Sequence, residues 1–477
     1  MSGLLLLDRR ELIFGGGALA GTALLAPPQS SFRGVQVSIA EFGAVAEPGH
    51  DNSRAIQQAI DTVSAKGGGL VLVPGTYECG VIRLADGVTI RGAGGLLVNA
   101  RIIIPEGRQQ CGVEKLGIVD RRADSGSFAL DVAGSHCSFE DLALVKDPIA
   151  GGYQAYVRQT ASHCRFSGLT LKGSNGIMVA GHDHLFERFD LRSTMSNRVG
   201  GDDAFAIKAP GRSTYNLTIR NGIVRGFAAI ASFGSEVGTE GALPDSHIYL
   251  RNVAISDVEA KSCGSLVFFK PGALIYDWRN GLIEDVRLER LRLTDERGER
   301  FTCGVRMIAA RGATIRNVTG KLLEVRARAK NQGVQPTAAI DLSLLDRADA
   351  RFDGVDLQMR FTDPYAGAPH GPEAPGYPVD HIVRIEKTDP RAGSMRNIAL
   401  DVEGRGSRFG GVYIGAGLDD AITLRRAHLS RVGLHPPASV GGGGIWSESR
   451  LRLGDIRVDS PILPRFGGHA LAGGRRP

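Results

Sequence analysis

Tryptophan occurs only twice in 477 residues and all aromatics together make 6%, so the chain carries no dense aromatic platform for stacking against a ligand. The six cysteines, at 79, 111, 137, 164, 263 and 303, are too dispersed for the framework of a small disulfide-stapled domain. Paired CxxC units, HExxH and a glycine-rich phosphate loop are all missing, which excludes the commonest zinc and nucleotide sites. Basic residues exceed acidic ones, 57 to 51, for a formal charge of +6, yet they are scattered, and with no basic block there is no footprint for nucleic acid. Beyond the first 30 residues no apolar run is long enough to span a membrane.

Glycine is what the chain has in excess: 65 residues, where the usual share is about 7%, which points to many turns. With 42% hydrophobic and 23% charged residues there is material for a large core and too little charge for disorder. The opening MSGLLLLDRRELIFGGGALAGTALLAPP sets Arg9 and Arg10 before an apolar, small-residue segment and then prolines, the pattern of a twin-arginine export signal. A buried N-terminal helix is the other reading, which Gly15, Gly16, Gly17 and Gly21 disfavour. Residues 1–30 are therefore expected to be a signal, 31–465 a single domain and 466–477 a tail, in a periplasmic or secreted protein with no span in the mature chain. A twin-arginine substrate folds before export in a reducing compartment, so most thiols are expected to be buried and free.

A six-residue phrase recurs: apolar, any, polar or small, apolar, any, apolar. It runs from VEKLGI at Val113 through FEDLAL at Phe139, FSGLTL at Phe166, FERFDL at Phe186 and IRNGIV at Ile219. It continues as LRNVAI, IEDVRL, IRNVTG, FDGVDL, MRNIAL and LRRAHL to LGDIRV at Leu453, in steps of 20 to 43 residues. Each phrase reads as a bend between two strands with a small or polar corner residue. One such unit cannot bury its own apolar face, whereas stacked units share a continuous core. An antiparallel sandwich also has regularly spaced turns, but the fixed phrase inside a longer coil favours an all-β, right-handed parallel β-helix of about twelve coils. SHC precedes both Phe139 and Phe166, which would set Cys137 above Cys164, either as stacked core thiols, the preferred reading, or as a disulfide.

The open end of a coil needs a cover. DNSRAIQQAIDTVSA offers a helix with Ile56, Ala59, Ile60 and Val63 on one face, capped by Asp51, Asn52 or Ser53. EFGAV, this helix and GGGLVLVPGTY together resemble the N-terminal cap and first coil of the pectate-lyase superfamily of β-helix proteins, closely over residues 38–80 and by pattern beyond them.

GGDDAFAIKAPG then places Asp202 and Asp203 side by side before a strand whose Phe205 and Ile207 should face the core while Ala204, Ala206 and Lys208 face out. An unpaired inward carboxylate costs several kcal/mol, roughly, so both are expected on the turn before the strand, facing one groove. Close carboxylates raise one pKa and leave the other group ionised, which is the acid and base division that glycosidic cleavage requires. A turn in which Asp bonds its own backbone is the plainer alternative.

GDDAFAIK resembles the GDDCIAIK motif of the polygalacturonase family of glycoside hydrolases, which are inverting enzymes on this fold. The resemblance implies Asp203 as general acid, Asp202 as part of the base and Lys208 as a neighbouring support. GSLVFFKPG resembles the family's arginine and lysine segment, implying substrate binding by Lys270, but Phe268 stands where the arginine belongs. Ala229 occupies the place of the family's histidine, before SFGSEVG, and Asn175 of SNGIMV replaces a further base carboxylate. Glu236, Asp245 and Asp257 are the candidates to fill that gap, Glu236 first, each with a solvated turn as its alternative.

His182, Asp183 and His184 of GHDHLF have metal-ligand spacing, but the segment occupies the same bend as SHC, so a structural turn is preferred and no metal or cofactor is expected. Tyr153, Tyr156, Tyr276 and Trp278 are candidates for sugar stacking or for edge packing. The expected function is an exported glycoside hydrolase acting on a polysaccharide or oligosaccharide, as monomer or trimer. A lyase using Lys208, Lys270 or an arginine as base, and a non-catalytic carbohydrate-binding protein, are the competing classes. Residues 360–380, rich in Pro and Gly, form an insertion that would suit a lid or partner contact.

Overall fold

The computed structural model describes residues 34–121, 128–146, 152–194, 202–240, 248–272, 278–330, 337–345, 349–366, 376–388, 393–419, 421–432 and 443–459. The segment expected to be an export signal, Asp245, Tyr276, the centre of the 360–380 insertion and the expected tail lie outside them.

The repeat is a right-handed parallel β-helix. Two long sheets form its walls: a twenty-stranded one, and a fourteen-stranded one with thirteen strands in a single unbroken path. Every pairing along the two walls is parallel except that of the short Trp278–Arg279 strand, off the path, so each coil lies one strand spacing, about 4.8 Å, above the last. Inward side chains then stack on their own kind. Phe139, Phe166 and Phe186 form such a column, with ring centroids 4.4 and 4.5 Å apart. Cys137 and Cys164, two residues before their phenylalanines, are buried free thiols in neighbouring coils.

The recurring phrase marks two bends rather than one. Val113, Phe139, Phe166, Phe186 and Ile219 align in a single column, but Ile219 pairs next with Ile255, while Leu250 pairs with Thr214. Leu250, Ile283, Ile315, Phe352 and Met395 make a second column five residues upstream, and Leu424 and Leu453 return to the first. The cause lies in the backbone. The long middle strands turn twice, with left-handed residues at Asn252 and Asp257, at Asp285 and Arg290, and at Asn317 and Leu322. Either corner accepts the same phrase.

The helix Ser53–Ala65 covers the open N-terminal coil with Ile56, Ala59, Ile60 and Val63 buried. Of the three proposed caps, Asp51 accepts the Ser53 N–H at 2.9 Å, whereas Asn52 makes no cap bond. The Asn52 amide instead ties together the carbonyls of Val45, His50 and Glu78, which fastens the cap to the first coil.

Candidate active site

The fourteen-stranded wall presents one outward position per coil. Through its middle the successive residues in register are Tyr156, Met178, Ala206, Ser232, Phe268 and Arg306. Ala206 and Ser232, the small side chains of this row, are 1% exposed and lie between Met178 and Phe268. The paired aspartates reach this part of the row from the turn before the strand Phe205–Pro210. Phe205 and Ile207 point into the core as expected; Ala204, expected outward, is also in the core because the chain is still turning there.

The two carboxylates differ sharply. Asp202 is exposed, its backbone N–H held by Asn175 Oδ1 at 3.1 Å and its Oδ2 accepting the Tyr153 hydroxyl at 2.7 Å. Asp203 is 2% exposed, so it does not share the open groove with Asp202 as expected. Burial of this charge is tolerated because Ser232 donates a hydrogen bond to its Oδ2 and Lys270 Nζ lies 3.5 Å from the same oxygen. Burial nevertheless pushes the Asp203 carboxyl up to about 6, with Lys270 opposing the rise and the Asp202 charge and hydrogen bond adding to it. The Tyr153 phenol is pushed up as well, by burial and then by the charge of Asp202.

Farther along the same strand, Lys208 Nζ pairs with Glu236 Oε1 at 2.6 Å and Ser235 donates to the other Glu236 oxygen at 3.0 Å. Glu236 is therefore no solvated turn: its charge reaches both Tyr153 and Tyr156. The fold brings together Asp202, Asp203, Lys208, Glu236, Lys270 and, through its backbone contact, Asn175. Asp257 does not join them; it pairs with Arg290 at 2.6 Å on a bend of the other wall. That bend holds a concavity of about 680 Å³, lined in part by Phe189, Asp257 and Arg290, and it excludes the aspartate pair.

Sequence reasoning missed Ser232 and the partnership of Tyr153 with Asp202. It also missed Arg306, which sits in register with Phe268 one coil on, its guanidinium 5.3 Å from that ring, while Lys270 Nζ is 5.1 Å from it. The only available signal was the alternation of GSLVFFKPG and CGVRMIA, which places Phe268 and Arg306 outward but does not stack them. Trp278 pairs through its backbone with Glu240 at the end of the strand Ala229–Glu240.

No family model and no curated protein matches the sequence. Among solved structures the chain is similar to a tailspike protein of E. coli bacteriophage HK620, a double mutant in complex with pentasaccharide, at TM-score 0.53 and 12% identity over 90% of this chain and 80% of that one. A deletion variant of that tailspike in complex with hexasaccharide gives TM-score 0.54 at 11% identity over the same shares. A family 28 exopolygalacturonase of Yersinia enterocolitica matches at TM-score 0.49 and 12% identity over 91% of this chain and 79% of that one. At these identities the tailspike likeness shows a common fold. Among the described residues no helix is long and apolar enough to cross a membrane.

Proposed function

We propose that the protein is an exported glycoside hydrolase that cleaves a polysaccharide or oligosaccharide by an acid and base mechanism with inversion. The observation that carries this reading is Asp203, a buried carboxyl raised to about 6 beside the exposed carboxylate of Asp202. Asp203 is the acid that protonates the leaving oxygen; Asp202, oriented by Tyr153, is the base that activates water. Lys208, Lys270 and Asn175 support these groups. The tailspike of similar fold was solved with a pentasaccharide, which is consistent with a saccharide ligand. Against a lyase, both lysines that would serve as base are engaged in ion pairs, with Glu236 and Asp203.

A second reading of the base rests on one observation. Asp202 and Asp203 share a hydrogen bond, whereas inverting pairs ordinarily stand about 6.5–9.5 Å apart to admit a water. On that reading the aspartates are one proton-sharing unit and Glu236 is the base.

The test is to incubate the chain and its Asp202→Asn, Asp203→Asn and Glu236→Gln variants with acidic and neutral polysaccharides, reading reducing ends, ultraviolet absorbance and anomeric configuration. Saturated products of inverted configuration, lost in Asp203→Asn, are expected. Unsaturated products would overturn the hydrolase in favour of elimination. Loss of activity in Glu236→Gln with retention in Asp202→Asn would transfer the base role to Glu236.

A further inference from the structure

In the two coils before the aspartates, the strands of the same wall, Ala155–Val157 and Ile177–Val179, lead into a bend rich in histidine. The sequence pairs His182 with His184, two apart in one strand, but the bend separates them. His184 turns inward, 2% exposed, with Nδ1 accepting the Cys164 N–H at 3.2 Å and Nε2 placed to donate to the Ala180 carbonyl at 3.1 Å. Both of its nitrogens are used. Its place is taken by His163 of the preceding coil.

We propose that His163, His182 and Asp183 form a binding site for a late first-row transition-metal dication, with Zn2+ as its best fit. One donor atom from each lies within 4.8 Å of the others. The Asp183 carboxylate is the hub: its Oδ2 is 2.7 Å from His182 Nδ1 and 3.6 Å from His163 Nε2. Two imidazoles and a carboxylate, without a thiolate, suit Zn2+ or its neighbours and not Ca2+ or Mg2+, which take oxygen ligands. Partial exposure of all three side chains leaves further coordination positions to water.

The ligands are held before any ion arrives. His163 stacks on His136 with centroids 4.6 Å apart, and His182 stacks on Tyr215 at 4.6 Å with the rings within 1° of parallel. Asp183 Oδ1 accepts a hydrogen bond from Asn216 Nδ2 at 2.8 Å, and Asn216 is in turn held by Asn252 at 2.7 Å. Such outer partners fix ligand orientation and strengthen metal binding. His163 belongs to one coil, His182 and Asp183 to the next, so a bound ion ties consecutive coils together and raises stability by mass action.

The experiment titrates the tag-free chain with Zn2+ in a calorimeter and follows thermal unfolding with and without the ion. His163→Asn and Asp183→Asn are the test variants: both positions have φ near +55°, which asparagine adopts readily, so the backbone is retained. One equivalent of Zn2+ with a raised unfolding temperature is expected for the wild type, with affinity at least about tenfold weaker in both variants. Asp203→Asn, whose partners are Ser232 and Lys270 and none of the ligands, should bind as the wild type does. Equal affinity in the wild type and both test variants, or binding only at millimolar Zn2+, overturns the site. Neither outcome depends on whether the chain hydrolyses saccharides.

Discussion

Asp203 is where the proposed chemistry and the stability of the protein meet. Its carboxyl rises from 3.8 to about 6, chiefly through burial, so the folded state holds this proton more tightly than the unfolded chain does. The corresponding stability is fully present below about pH 4 and is lost as pH rises through about 6, an effect on the order of 3 kcal/mol. Asp203→Asn should remove that dependence, so that its unfolding midpoint in denaturant exceeds the wild type at pH 8 but not at pH 4. Catalysis should follow the same proton. On the proposed reading kcat/KM falls as pH rises through about 6, and Asp203→Asn loses about 10²-fold or more. Lys270 and the Ser232 hydroxyl both hold the Asp203 value down, so Ser232→Ala and Lys270→Met should each move the basic limb of the pH profile upward. A limb that stays in place in both variants would show that another group titrates there.

The coil is the element on which the fold is built, and much of it can be read from the sequence. Alternation and the recurring phrase give parallel coils, the phenylalanine column and the covering helix, because each depends on residues close together in the chain. What they do not give is which of two corners a phrase occupies, since asparagine or aspartate with apolar neighbours suits both. The site was legible only where a motif named it. Asp203 meets Lys270 across 67 residues and Tyr153 meets Asp202 across 49, separations fixed by coil lengths that no local pattern records. His163 joins His182 for the same reason, one coil apart and unmarked by spacing. The phenylalanine column carries its own test. Phe166 is sandwiched between Phe139 and Phe186, so Phe166→Ala opens a cavity between two fixed rings and should cost about 3–5 kcal/mol, read as a lower denaturation midpoint. A midpoint shift equivalent to less than about 1 kcal/mol would mean that neighbouring coils collapse into the gap.

On the scale of the whole molecule, a parallel β-helix turns sequence repeats into a straight strip of outward residues, one strand spacing apart, and a polymer laid along the axis meets them in order. On the proposed reading the reacting groups gather at the coils of Ala206 and Ser232, and the coils beyond carry Phe268, Arg306, Asp341 and Arg384 in register. Asp341 is buried and lies 3.2 Å from both Arg306 Nε and Arg384 Nη1, and Arg384 has Glu386 as a second carboxylate partner. Lys270 and Arg306 both lie against the Phe268 ring, cations from two successive coils, where a single coil would have held both had residue 268 been arginine. Arg306→Gln leaves Asp341 its partner Arg384 and leaves the Asp203 environment untouched. On a uronate-containing substrate it should raise KM about tenfold with kcat unchanged, the pattern of lost uniform binding, whereas on a neutral saccharide KM should stay within about twofold. Equal KM for wild type and variant on every acidic substrate that is cleaved would remove Arg306 from the binding strip. A fall in kcat at constant KM would place it in the transition state instead, nearer the scissile bond than its coil allows.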